Sequence, residues 1–405
     1  MTTFKKLPKI NKPIKLDIQL PASKSISNRA LILNALSYSP YDITNIAICD
    51  DTDVMVKALD SNDTLFDVGA AGTAMRFLTA FLSKTVGEWV ITGSERMKER
   101  PIKLLVDAIN QLGGKIEYIA KEGFPPLRIY GSALMGGTIH ISGSVSSQYI
   151  SALMMIAPYM HNGLTINLEG KIISLPYIQM TQKLMQDFGV QVDFQENTIN
   201  IRPQAYRPIP YTVESDWSAA SYWYEVLAIA GAGEIFLQGL RQDSLQGDSK
   251  LATIFEQLGV ATTYVQDGVV LTANKQLCKV FTYDFVEQPD LAQTVAVTCC
   301  LKNIPFHFKG VESLKIKETD RIAALIRELK KLGYVLIEPK EGELAWQGLT
   351  TDASTNCTPI ISTYDDHRMA MAFAPVAFMR PIKILNPEVV SKSYPSFWED
   401  FSLLW

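Results

Sequence analysis

LLVDAINQLGGKIEYI, residues 104–119, holds the pattern that decides the fold. Leu105, Ala108, Ile109 and Leu112 recur at helical spacing, Gly113 stands where a helix closes left-handed, and Ile116 and Tyr118 then alternate with Lys115 and Glu117. The same succession returns in KLMQDFGVQVDF (183–194), TIFEQLGVATTYV (253–265) and LIRELKKLGYVLIE (325–338). Gly113, Gly189, Gly259 and Gly333 lie 70–76 residues apart. That period exceeds a solenoid repeat and suits whole α+β units copied along a chain. Two partial copies flank them: DDTDVMVKALDSN (50–62) begins the helix without the Gly or strand, and SYPSFWEDFSLLW (393–405) ends inside it. Six units divide into two domains of three, which predicts an α/β (α+β) protein.

The composition agrees with two folded domains. The chain has 405 residues, 47% hydrophobic and 20% charged, with a formal net charge of −4. Both domains are long enough to bury a core, and the apolar content excludes a disordered chain. A charge so near zero argues against a general nucleic-acid binder, so any anion site must be a local cluster of Lys and Arg. Five cysteines (Cys49, Cys278, Cys299, Cys300, Cys357) form no CxxC pair, which points to reduced thiols in the cytoplasm. The first twenty residues are basic and broken by Pro, unlike a signal peptide, and no run is long enough to span a membrane.

Chemistry gathers where helices are expected to start. MKERP (97–101), SLPY (174–177), LQGDSK (245–250) and IKETDR (316–321) precede helical runs. Ser and Asp there can cap free N–H groups, but Lys and Arg are disfavoured by the helix dipole unless an anion joins them. PASKSISNRALILNAL (21–36) puts Lys24, Ser25, Ser27, Asn28 and Arg29 at the start of an apolar helix. DVGAAGTAMRFLTAFL (67–82) opens with Gly69 and Gly72, has Thr73 at the helix start and carries Arg76; GSVSSQYISALMMIAP (143–158) presents Ser146, Ser147 and Gln148. In VESLKIKETDRIAALIREL (311–329), Lys317 and Arg321 read as neighbours on one helix face, with Glu318 and Asp320 alongside. Asp290 precedes the apolar run LAQTVAVTCCL, YDDHRMAMAF (364–373) offers Asp366, His367 and Arg368, and Lys392 stands in an expected loop. Four histidines without HxxxH spacing, and no Walker, GxGxxG or GxSxG sequence, predict neither metal nor cofactor.

PASKSISNRAL, GAAGTAMR, RMKERP, GSVSSQ, LPYI, VESDWSAASY, LQGD, Pro289–Asp290, KETDR, DDHRMAM and SKSYP, in this order from Pro21 to Pro395, closely resemble the 5-enolpyruvylshikimate-3-phosphate synthase (3-phosphoshikimate 1-carboxyvinyltransferase) family. The resemblance implies two domains, each of three βαβαββ units, with 22–213 forming one and 1–21 plus 214–405 the other. It implies enolpyruvyl transfer from phosphoenolpyruvate to shikimate 3-phosphate without a cofactor, by a cytoplasmic monomer that closes on its substrates. Shikimate 3-phosphate would be held by Lys24, Ser25, Arg29, Ser146, Ser147, Gln148, Ser174, Asp290, Ser313 and Lys317. Phosphoenolpyruvate would be held by Lys24, Gly72, Arg100, Gln148, Arg321, Arg368 and Lys392. Asp290 would be the base and Glu318 the acid, with Lys24 and Lys392 sharing the proton transfers.

The chain departs from the family pattern at Ala22, Ala70, Phe77 and Ser313, where Gly, Asn, Pro and Asn are usual, and is short between residues 60 and 67, which predicts a reduced first unit. None of these changes removes a charged ligand. UDP-N-acetylglucosamine enolpyruvyl transferases share the implied fold and chemistry, but commonly carry a reactive Cys in the first domain, and residues 50–277 contain none. A catalytically inactive binding protein of the same fold should have lost charged ligands, and all remain.

Overall fold

Three of the four glycine stops close their helices by one set of bonds. After the helix Lys103–Gln111, Gly113 adopts φ +96°, its N–H bonds the carbonyl of Asn110 and that of Gly114 bonds Ile109. Gly189 and Gly333 repeat this after Leu175–Asp187 and Arg321–Lys331. These are Schellman closures, which satisfy the last carbonyls and turn the chain back toward a sheet. Gly259 differs from expectation: its helix, Leu251–Glu256, ends earlier, and the glycine falls in the strand Leu258–Val265 at a register shift between Leu258 and Val260.

The structure is a computed structural model and describes residues 3–11, 13–144, 146–352 and 358–405; Cys357 lies outside the described residues. Two compact units divide the chain: residues 22–213, and residues 1–21 with 214–405.

In the unit 22–213, the strands Leu65–Asp67 and Gly87–Thr92 run parallel, and Leu127–Gly131 and Lys115–Tyr118 continue the sheet antiparallel. Gly137–Ser142, Leu164–Glu169, Thr198–Ile201 and Val192–Gln195 repeat this arrangement. In both, chain order 1-2-3-4 becomes spatial order 1-2-4-3, a helix joining the parallel pair and a hairpin finishing the sheet. The reduced first unit keeps only the parallel pair, Ile43–Thr44 with Tyr211–Thr212.

The other unit carries the 1-2-4-3 order in Lys15–Gln19, Glu234–Gln238, Gly268–Leu277 and Leu258–Val265. Phe281–Asp284, Phe306–Lys309 and Leu344–Trp346 form a second sheet. Here the β-rich run expected after Gly333 is not a strand, only the isolated bridges Tyr334–Thr350 and Ile337–Ala345. The third sheet pairs Ile360–Ile361 with Ile382–Leu385, and Ile382–Leu385 with Phe4–Leu7.

Each unit has two kinds of helix. Gly72–Lys84, Ser147–Ile156 and Ala292–Leu301 are buried nearly all round, as a helix without a polar face must be. They pack with Lys24–Leu36 in one unit, and with Trp217–Ala230 and His367–Phe373 in the other. Their side chains, such as Leu33, Leu78, Leu153, Trp223, Val295 and Phe373, are almost wholly buried, each contributing about 1.5–3 kcal/mol of hydrophobic stabilisation. The glycine-stopped helices are amphipathic: Lys103–Gln111 and Leu175–Asp187 lie against the strands that follow them, and Arg321–Lys331 packs on Ala292–Leu301 and His367–Phe373. Among the described residues no helix is long and apolar enough to cross a membrane.

Candidate active site

In the unit 22–213 the candidate ligands sit at the starts of the buried helices. Ser23 caps Lys24–Leu36, and Lys24 Nζ lies 3.2 Å from the buried Asp51 carboxylate. Ser146 caps Ser147–Ile156, and Gln148 Nε2 donates to Thr73 Oγ1 at 3.0 Å, tying that helix start to the start of Gly72–Lys84. At Gly72 the backbone lies close under two guanidiniums: a Cβ there would lie 2.7 Å from Arg100 Nη1 and 2.9 Å from Arg76 Nη1, and would push both side chains aside. Arg76 Nη1 donates to the Gly72 carbonyl at 2.9 Å. Arg100 is only 9% exposed, and its Nε is buried with no hydrogen-bond partner among the described residues. A buried guanidinium left in that state beside a helix N-terminus is a place for an anion.

Arg29, expected as a ligand, is 2% exposed and held by neutral groups. Nε donates to Thr181 Oγ1 at 2.7 Å, Nη1 to the Ser25 carbonyl at 2.9 Å, and Nη2 to Ser151 Oγ at 3.2 Å. Burial brings its pKa down to about 10. Ser174, also nearly buried, takes φ +55° just before the helix Leu175–Asp187.

In the other unit the cations are interleaved with carboxylates. Arg321, 2% exposed, is the centre: Nε meets Asp366 Oδ2 at 2.7 Å, Nη1 meets Asp290 Oδ1 at 2.9 Å and Nη2 meets Glu318 Oε2 at 2.9 Å. Lys392 Nζ is 2.7 Å from Glu318 Oε1; Arg368 Nη2 is 3.1 Å and Lys317 Nζ 3.7 Å from Asp290. Burial would raise the Asp290 pKa, but Arg368, Lys317 and Arg321 outweigh it and hold the carboxyl well below its usual range. Burial also lowers the Lys317 pKa. Asp248, whose Oδ2 accepts from Ser218 Oγ, is pushed up to about 7 by burial and then by the like charge of Asp290.

Two local expectations are corrected here. Lys317 and Arg321 are not neighbours on one helix: Glu312–Ile316 is a 3-10 turn, and the α-helix starts only at Arg321, because Asp320 caps it by accepting from Ala323 N–H. That break leaves Glu318 off the helix, where it reaches both Arg321 and Lys392. Lys392 is not in a loop but ends the 3-10 helix Pro387–Lys392. Ser313 lies in the preceding 3-10 turn. Asp51 as the partner of Lys24, and Ser151 and Thr181 as partners of Arg29, were not expected from the sequence. No local sequence pattern marks Thr181, a buried residue of the helix Leu175–Asp187.

Repeated βαβαββ units that set cations and carboxylates at buried helix starts mark an enzyme that handles multiply charged small molecules. A family model described as EPSP synthase (3-phosphoshikimate 1-carboxyvinyltransferase) matches residues 8–62 and 59–401. A 3-phosphoshikimate 1-carboxyvinyltransferase of Bacteroides fragilis is 54% identical over 389 residues, 96% of this chain and 94% of its own. One from Vibrio cholerae is 38% identical over 425 aligned positions, covering 97% and 98%. The solved EPSP synthase of Acinetobacter baumannii has the same fold, with a TM-score of 0.79 at 20% identity over 100% of this chain and 98% of that one. The chain belongs to the EPSP synthase family.

Proposed function

We propose that this enzyme transfers the enolpyruvyl group of phosphoenolpyruvate to the 5-hydroxyl of shikimate 3-phosphate and releases phosphate, a step of the shikimate pathway. The observation that carries the residue assignment is the Arg321 cluster, where buried cations meet two carboxylates suited to acid–base work. Lys24, Ser25, Arg29, Ser146, Ser147, Gln148, Ser174, Asp290, Ser313 and Lys317 bind shikimate 3-phosphate. Gly72, Arg100, Arg321, Arg368 and Lys392, with Lys24 and Gln148, bind phosphoenolpyruvate, whose carboxylate and phosphate suit the guanidinium fork.

Asp290 is the base toward the 5-hydroxyl and Glu318 the acid toward the methylene carbon. As the side chains stand, Asp290 is too well stabilised by Arg368, Lys317 and Arg321 to accept a proton readily. Phosphoenolpyruvate, by engaging Arg321 and Arg368, loosens that hold, so the base becomes effective only with its electrophile in place. The hydroxyl oxygen then bonds the carbon bearing the phosphate while its proton goes to Asp290, and the methylene takes a proton through Glu318, which Lys392 Nζ at 2.7 Å supplies. Elimination passes a methyl proton back through Glu318 to Lys392 as the carbon–phosphate oxygen bond breaks, and the departing phosphate takes the proton from Asp290, so every group returns to its starting state.

The enzyme acts as a cytoplasmic monomer in this account, and the free thiols Cys49, Cys278, Cys299 and Cys300 support the compartment. Phosphate release should require both substrates. Glu318→Gln should lower turnover by about 10²-fold or more while both KM values change little; near wild-type turnover would remove Glu318 from the proton path.

A further inference from the structure

Among the described residues, Arg29 is a buried cation without a counter-ion. No carboxylate among them pairs with it, and the groups around it are neutral: Thr181 Oγ1, Ser151 Oγ and the carbonyls of Ser25 and Tyr177. Two rings flank the guanidinium, Phe77 with its centroid 5.2 Å away and Tyr177 at 5.8 Å. Thr181 Oγ1 also lies 2.8 Å from Ser151 Oγ and 2.9 Å from the Tyr177 carbonyl. Phe77, Ser151 and Thr181 are almost wholly buried and belong to three different helices, Gly72–Lys84, Ser147–Ile156 and Leu175–Asp187.

This arrangement is costly as mere packing. A charge removed from water without an opposite charge destabilises the fold, and hydroxyls and ring faces offset only part of that cost. It is well suited to fixing a cation's orientation while leaving its charge for a ligand. A carboxylate in the wall would have neutralised it.

We infer that Phe77, Ser151 and Thr181 are positioning residues that hold the Arg29 guanidinium, uncompensated, for an anionic group of shikimate 3-phosphate. Thr181 fixes the Nε edge, Ser151 fixes Nη2, and the Phe77 ring sets the plane. Nη1, bonded to the Ser25 carbonyl, faces the Lys24–Ser25 turn, where the other ligands of this substrate begin. The inference rests on the proposed role of Arg29 toward this substrate.

The test is steady-state titration of both substrates with Thr181→Val, Thr181→Ser, Phe77→Leu, Arg29→Ala and the double variant Arg29→Ala/Thr181→Val. Thr181→Val, nearly isosteric, is expected to raise the KM for shikimate 3-phosphate about 10-fold, with turnover and the KM for phosphoenolpyruvate within about twofold; one lost hydrogen bond to a charged group is of that order. Thr181→Ser should restore the wild-type value, and the double variant should be no worse than Arg29→Ala alone. If Thr181→Val does not fold, Phe77→Leu decides by the same KM split. An unchanged shikimate 3-phosphate KM in these variants, with Arg29→Ala raising it, overturns the positioning role and leaves the ligand role standing. An unchanged KM in Arg29→Ala overturns the ligand role itself, and the positioning role with it. Equal losses for both substrates and turnover would show a structural strut only.

Discussion

Arg321 and Arg368 both touch Asp290, yet they differ in what else depends on them. Arg321 is also the partner of the wholly buried Asp366, so its removal would strand a buried charge as well as a ligand. Arg368 can be removed with Arg321 and Lys317 still beside Asp290. Arg368→Ala is therefore the cleaner probe. It should raise the KM for phosphoenolpyruvate by roughly 10- to 150-fold, equivalent to about 1.5–3 kcal/mol, with a much smaller change for shikimate 3-phosphate; matched increases in a two-substrate titration would refute the partition. Asp248 gives a pH prediction. Its folded pKa of about 7 lies above its ordinary value of 3.8, through burial and then Asp290, with Arg368 and Ser218 opposing and Asp216 adding to the rise. The folded protein thus holds more protons than the unfolded chain between those values. The contribution to stability is neutral below the unfolded pKa, falls as pH rises through the window, and is fully unfavourable above about 7, by up to roughly 4 kcal/mol. Asp248→Asn should then raise the urea midpoint at pH 8 and leave it nearly unchanged at pH 4. An equal effect at both would exclude this titration.

Helices and their ends were the most legible elements, because a positive φ leaves so few residues to choose from. Gly113, Gly189 and Gly333 could be placed for that reason. The helix Ala292–Leu301 closes by the same bonds on Asn303, at φ +57°, and Asn is too common elsewhere to announce it. Helix starts bearing Lys24, Gly72, Gln148 and Arg368 were legible from their polar phrases. The break at Lys317–Glu318 was not, since the helical period runs on through it. Nor were Ser151 and Thr181, which lie 122 and 152 residues from Arg29 and become its neighbours only through packing. Glycine also has two separate uses, and one substitution tells them apart. Gly113→Ala forces a side chain onto φ +96° with its Cβ 3.3 Å from Met135 N, and should cost about 1–2 kcal/mol in thermal or urea unfolding with turnover preserved. Gly72→Ala has no such backbone strain but drives a methyl into Arg100 and Arg76. It should raise the phosphoenolpyruvate KM severalfold with little loss of stability. The reverse pattern in the two variants would contradict the distinction.

At the scale of the molecule, the expected response to substrate is closure, driven by the negative charge the substrates bring to the cations at the helix starts. Shikimate 3-phosphate should therefore compact the protein. Small-angle scattering with saturating substrate is expected to show a smaller radius of gyration, and an unchanged value would reject substrate-driven closure. The four glycine-bearing copies made the α/β class legible because their period is preserved from Gly113 to Gly333. The sheet that unites Phe4–Leu7 with Ile382–Leu385 was hidden, since neither strand announces so distant a partner. That pairing bears on how the protein is born. On the ribosome, residues 22–213 can complete their three sheets while the rest is still being translated. Phe4–Leu7 is made well before its partner Ile382–Leu385, which follows roughly 20–70 s later at ordinary rates of synthesis. Until then that strand is an orphan, and its sheet joins two segments synthesised far apart in time.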